Sequence, residues 1–159
     1  MNPQMTMLLR VKHLRQEEAL RRFQVSQAAA RAAQAVTEAA AVAVDESRRT
    51  MGAREDRIYD DILQRVVDPA ELEETRGRVV RLQKEHDVLV DDRERALHVE
   101  ARAMREADAA NAAYRAAAMV HDKYKIITDE IAEAHRRESD HREEVDMEDT
   151  FRHAPRSLE

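Results

Sequence analysis

Apolar residues recur every three or four positions from about Thr6, at Leu8, Val11 and Leu14 and then at Leu20 and Phe23. That spacing predicts one face of an α-helix. Between residues 28 and 44, ten of seventeen positions are alanine, interleaved with Val36, Val42 and Val44. Alanine is the strongest helix former but buries little surface, so this stretch predicts a helix held close to a neighbour rather than a thick core. The stripe resumes at Ile58, Ile62 and Val66, beyond Gly52, which is the weak position of the first helix and the expected place for a bend.

The pattern is then interrupted by Pro69, the only proline between Pro3 and Pro155. Proline lacks an N–H and clashes with the preceding turn, so a helix running through Arg65 is expected to stop before it. Asp68 reads as an N-cap with Pro69 at the first helical position, and Glu71 completes a capping box. Beyond it, one line of positions seven apart reads Leu82, Leu89, Ala96, Ala103, Ala110, Ala117, Tyr124 and Ile131. All eight are apolar, which predicts a coiled-coil core. Val90, Leu97 and Met104 are expected to widen this stripe. The companion positions His86, Arg93 and Glu100 are polar, which predicts a seam that drifts around the helix.

These elements give one all-α domain over residues 1–159, a long antiparallel two-helix coiled-coil hairpin. Helix 1 is expected over about 6–65, the turn over 66–69 and helix 2 over about 70–145, followed by a flexible C-terminal tail. At 1.5 Å per residue such a hairpin would be a rod roughly 90 Å long. Helix 2 is the longer, so an overhang is expected after about Ile131. Favourable i to i+4 ion pairs are expected at Glu17–Arg21, Glu18–Arg22, Glu74–Arg78, Asp91–Arg95 and Glu133–Arg137.

Composition narrows the class further. Charged residues make up 38% and aromatics 3%, which marks a coiled coil rather than a packed globule. Cysteine is absent, in keeping with a reducing compartment. No uncharged apolar run is long enough to span a bilayer, and Arg10, Lys12 and Arg15 interrupt what a secretory signal would need. The net charge of −6 conceals two unlike ends. Residues 1–22 carry five cations against Glu17 and Glu18, giving +3, whereas residues 129–149 carry ten acids against three arginines, giving −7. An acidic chain without an aromatic-rich basic stripe is a poor nucleic-acid binder.

Catalytic chemistry is not expected. Gly52 and Gly77 stand outside any phosphate-cradling frame, so no nucleotide or other cofactor is implied. His135 and His141 lie six apart beside Glu138 in a charged segment, where metal ligands on a helix would sit four apart; no metal site is expected. His13, His86, His98 and His121 read as surface or seam residues, and Asp91-Asp92 as a solvated face. Two stretches invite a partner. Around Leu8, Leu9, Val11 and Leu14, the cations Arg10, Lys12 and Arg15 make either a helix start packed on its neighbour or a basic amphipathic end offered to another protein. The overhang after Ile131 is either a solvated acidic tail or a docking surface.

The run Leu8-Leu9-Arg10-Val11-Lys12-His13-Leu14-Arg15-Gln16-Glu17-Glu18-Ala19 resembles the opening of the YscO family of type III secretion proteins, which are similar to the flagellar export protein FliJ. The segment Asp129-Glu130-Ile131-Ala132-Glu133-Ala134-His135-Arg136-Arg137-Glu138, continuing to Phe151-Arg152-His153, resembles the family's Glu- and His-rich tail. The alanine blocks are heavier than in the family pattern, and Gly52 has no counterpart role in it. The resemblance implies a cytoplasmic central stalk at the base of the secretion apparatus, working without catalysis or cofactor. It implies three partners: a hexameric secretion ATPase, an export gate protein and secretion chaperones. Carried onto this chain, the ATPase-contact candidates are Leu8, Arg10, Lys12, Leu14, Arg15, Ile131, Arg136 and Arg137. The gate-contact candidates are Ile58, Ile62 and Leu72. A monomer is expected; the alternative is a cytoplasmic structural adaptor whose hairpin pairs into a homodimeric four-helix bundle.

Overall fold

The computed structural model describes residues 3–152. Two helices, α1 (Pro3–Asp60, 58 residues) and α2 (Pro69–Arg152, 84 residues), are joined by residues 61–68. The fold is an all-α helical hairpin, with no strand among the described residues. The flexible tail expected beyond about residue 145 is helical as far as Arg152, and its remainder, 153–159, lies outside the described residues. The helices contribute to two compact units, one of Met1–Phe23 with Ala110–Glu159 (unit 1) and one of Gln24–Ala109 (unit 2).

Unit 2 contains the connection. The Asp68 carboxylate accepts from the Glu71 N–H at 2.8 Å while Glu71 accepts from the Asp68 N–H at 3.3 Å, a reciprocal capping box. Glu71 also meets Arg65 at 3.0 Å, and Arg65 Nε donates to the Asp61 carbonyl at 3.0 Å. These bonds explain why α1 ends at Asp60 rather than near residue 65. The chain tightens where Ile62 and Leu63 both donate to the Tyr59 carbonyl, and Arg65 is then needed to tie the end of α1 to the start of α2. Val66, expected to continue the helical stripe, is fully exposed in the connection. Both glycines adopt helical backbone, Gly52 within α1 and Gly77 within α2.

The contact between α1 and α2 in unit 2 follows a strict alternation of three and four residues. On α1 the covered positions run Ser26, Ala30, Ala33, Thr37, Ala40, Val44, Ser47, Met51, Arg54 and Ile58; on α2 they run Thr75, Val79, Leu82, His86, Leu89, Arg93, Ala96, Glu100, Ala103 and Ala107. The seam therefore does not drift: His86, Arg93 and Glu100 occupy it, half-buried. A seam held at 3.5 residues per turn keeps facing its partner even when polar groups fill some positions. The small residues opposite leave them room. Ser47 Oγ meets His86 Nδ1 at 2.9 Å, whereas Arg93 Nε is buried without a partner. Leu97 and Met104 are exposed and do not widen the core; Val90 is half-buried. Val44 is the one described side chain fully removed from solvent.

In unit 1 the same rhythm places Met5, Leu9, Lys12, Gln16, Ala19 and Phe23 of α1 over Ala110, Tyr114, Ala117, His121, Tyr124, Thr128 and Ile131 of α2. Phe23 stacks on Tyr114 at 6.4 Å between ring centroids. Here the expected stripe is displaced: Val11 is 39% and Leu14 51% exposed, while Lys12 and Gln16 are half-buried. Leu8 flanks the seam, whereas Val11 and Leu14 lie on the side of α1 turned away from α2. The register set by Phe23 and Tyr114 brings Leu9 and Lys12 inward instead. All eight positions of the Leu82-to-Ile131 line are buried or half-buried.

The intrahelical pairs shift in two places. Glu18–Arg22 forms at 2.5 Å, but Glu17 meets His13 at 3.4 Å rather than Arg21. Arg95 pairs with Asp92 rather than Asp91, while Glu74–Arg78 and Glu133–Arg137 form as spaced. Each is solvent-exposed and worth a few tenths of a kcal/mol, about what i to i+4 pairs contribute to a helix.

Candidate partner-docking surfaces

Unit 1 holds the more chemically distinct surface. Lys12 lies in the seam with its Nζ 4.9 Å from the centre of the Tyr124 ring, a cation–π contact across the two helices. Its stem, with Arg15, borders a shallow groove floored by Ala116, Ala117 and Val120. A second groove lies among Pro3, Thr6, Met7 and Arg10. Arg10 and Arg15 are exposed, and among the described residues neither has an acidic partner. Met7, Val11 and Leu14, all exposed, lie between these cations. The α1 end of unit 1 thus offers apolar surface set among uncompensated positive charge, which suits an acidic, partly apolar partner.

His13 and His121 face each other with ring centroids 5.4 Å apart, His13 beside Glu17 and His121 beside Asp122. Among the described residues no group of three or more such side chains could hold a metal ion.

On α2, Ile131 and Ala132 are the last half-buried residues; every described side chain from 133 onward is exposed. Arg136 and Arg137 are on this exposed run, with Arg137 paired to Glu133 and Arg142 to Glu138 at 2.5 Å. No helix of the described residues is long and apolar enough to cross a membrane.

The structure thus brings Leu8, Arg10, Lys12, Leu14, Arg15 and Ile131 to unit 1 in unequal roles. Leu14, Arg10 and Arg15 are free surface, Leu8 and Ile131 are half-buried, and Lys12 is committed to Tyr124. In unit 2, Ile58 belongs to the seam and lines a groove with Arg54, Arg57, Arg78, Arg81, Leu82 and Glu85. Ile62 is half-buried and Leu72 exposed. The most exposed apolar residues of the connection are Leu63 (70%), expected within helix 1, and Val66 (99%), expected at the start of the turn. Val66 stands just before the Asp68–Pro69 helix start, which marks it as turn; Leu63, six residues before the proline, carries no such signal.

No curated protein and no solved structure shows significant similarity to the chain. The family described as type III secretion protein YscO matches residues 5–153, nearly the whole length. The chain belongs to the YscO family of type III secretion proteins.

Proposed function

We propose that this protein is a central-stalk component of a type III secretion apparatus that engages a hexameric secretion ATPase through unit 1. The observation that carries the reading is the pairing, in that unit, of unpartnered Arg10 and Arg15 around exposed Met7, Val11 and Leu14 with an α2 segment beyond Ala132 that no other helix covers. A stalk needs stiffness and terminal contacts but no active site, and two long helices held by a heptad seam supply the stiffness. In this reading Arg10, Arg15 and Leu14 touch acidic surface of the ATPase pore. Leu8, Lys12 and Ile131 hold the two helices together beneath them, and Arg136 and Arg137 reach deeper. The connection, with Leu63, Val66 and Leu72 exposed and Ile58 and Ile62 supporting them, faces the export gate. Exposed apolar surface along the helices serves secretion chaperones. The protein works in the cytoplasm at the base of the apparatus and carries out no catalysis of its own.

The test is turnover of the cognate ATPase with added protein. Arg10→Glu with Arg15→Glu should abolish stimulation while far-UV circular dichroism stays unchanged, because both side chains are exposed. Truncation after Ala132 should reduce it. Full stimulation by the double charge reversal would refute the assignment.

A further inference from the structure

The face of α1 turned away from α2 in unit 2 is as regular as the seam itself. Val25, Ala28, Ala32, Ala35, Ala39 and Val42 follow one another at spacings of three, four, three, four and three. All six are exposed, Val25 by 70% and Val42 by 67%, and Val36 beside them by 60%. A solvent-facing helix surface would ordinarily carry charges there. Instead it carries the alternation of a second coiled-coil seam about 25 Å long.

The order of residues says what fits it. Read from either end, the stripe is the same: valine, four alanines, valine, with symmetric spacing. An antiparallel copy would set Val25 against Val42, Ala28 against Ala39 and Ala32 against Ala35, and then repeat each pairing through a two-fold axis. That self-complementarity is what an isologous interface requires. Alanine on both sides allows the helix axes to approach at the close end of the usual 8–10 Å range. The flanking charges agree with this register. In an antiparallel pair at this alignment, Arg31 of each chain falls opposite Glu38 of the other. Both are exposed; Arg31 has no ion-pair partner among the described residues, and Glu38 only accepts from Gln34 at 3.3 Å. On the other flank, Val36 comes beside Ala29 of the second copy, adding apolar surface.

We propose that the outer face of α1 in unit 2 is a homodimer interface, an antiparallel alanine-valine pairing of two copies locked in register by two Arg31–Glu38 ion pairs. This goes beyond the stalk reading, whose ATPase and gate contacts lie in unit 1 and the connection. The stripe is short beside the roughly 800 Å² per partner of stable complexes, so the pairing is weak, with Kd on the order of 100 μM, and dimer and monomer exchange readily.

Sedimentation equilibrium of the full chain tests it without reference to any ATPase. The wild type should show a monomer–dimer equilibrium, and Ala32→Glu should leave a monomer of unchanged helicity. Arg31→Glu alone and Glu38→Arg alone each place like charges opposite one another twice. Each should weaken the dimer by about tenfold or more, a difference of about 1.4 kcal/mol. Mixed in equal amounts, these two variants should form a heterodimer of wild-type strength, because both ion pairs are restored between unlike chains. A monomer at every concentration overturns the proposal and leaves the face to a helix of another protein. A dimer indifferent to Ala32→Glu, or a mixture no tighter than its components, overturns it as well.

Discussion

Lys12 separates two roles that the charge pattern alone runs together. It shares the positive character of Arg10 and Arg15, yet its ammonium lies 4.9 Å from the Tyr124 ring centre and its stem is half-buried in the seam. A cation–π contact is worth about 0.5–1 kcal/mol at an exposed site and about 2 kcal/mol when desolvated, so a half-buried one should contribute about 1 kcal/mol. Lys12→Met keeps most of the stem packing and removes the charge, and Tyr124→Leu removes the ring while keeping bulk. The double-mutant cycle should return a coupling of about 0.5–1 kcal/mol. Global melting is a poor readout for a helix start, which opens locally. Native-state hydrogen exchange of the amides of residues 8–20 is the suitable one, where 1 kcal/mol appears as an approximately fivefold faster exchange. Arg10→Glu and Arg15→Glu should leave the same amides within about 0.5 kcal/mol of wild type, since nothing in the hairpin holds these side chains. A coupling of zero between Lys12 and Tyr124, or equal loss of protection in Arg10→Glu, would refute the division. The practical consequence is that any test of partner binding should reverse Arg10 and Arg15 and leave Lys12 in place.

Two further perturbations probe the framework. A Cβ built at Gly52 or at Gly77 meets nothing within 4 Å, and both residues are helical, so Gly52→Ala and Gly77→Ala should each stabilise by about 0.5–1 kcal/mol in urea unfolding; a loss at either position would mean that it carries a bend or a contact in solution. Asp68→Ala removes the acceptor of the 2.8 Å bond from the Glu71 N–H and should cost about 1 kcal/mol in the same assay, with Asp68→Asn recovering most of it.

What was legible in the chain depended on how many independent signals met at one place. At the connection three coincided: Pro69 forbids a preceding helix, Asp68 caps, and Glu71 reciprocates. The start of α2 followed directly. The end of α1 was set by Arg65 reaching both Asp61 and Glu71, and a side chain bridging two helix ends has no local signature. On α2 the apolar line from Leu82 to Ile131 marked half of the seam. The other half was hidden because His86, Arg93, Glu100 and His121 occupy it, and a seam with polar members looks from sequence like one that wanders.

The harder problem lay in α1, where apolar residues are divided between two opposite faces. Leu9, Phe23, Val44 and Ile58 belong to the face on α2; Met7, Val11, Leu14, Val25, Val36 and Val42 do not. Both sets repeat with a heptad rhythm, so periodicity identifies a helix without saying which face is inward. The cross-helix pairs decide it: Phe23 with Tyr114 and Ser47 with His86 commit α1 to one rotation in each unit. That commitment puts Lys12, Gln16, Ser26, Thr37 and Arg54 under cover while leaving valines in water. The reverse rotation would cover Val25 and Val42 only by exposing Leu9, Phe23, Val44 and Ile58 and by burying Glu18, Arg21, Glu46, Arg49, Asp56 and Asp60, so over the whole helix the observed face is the more stable one. What needs a separate reason is only the uncharged part of the outer line, from Val25 to Val42, where charge would cost nothing and is absent; the self-pairing proposed above supplies that reason.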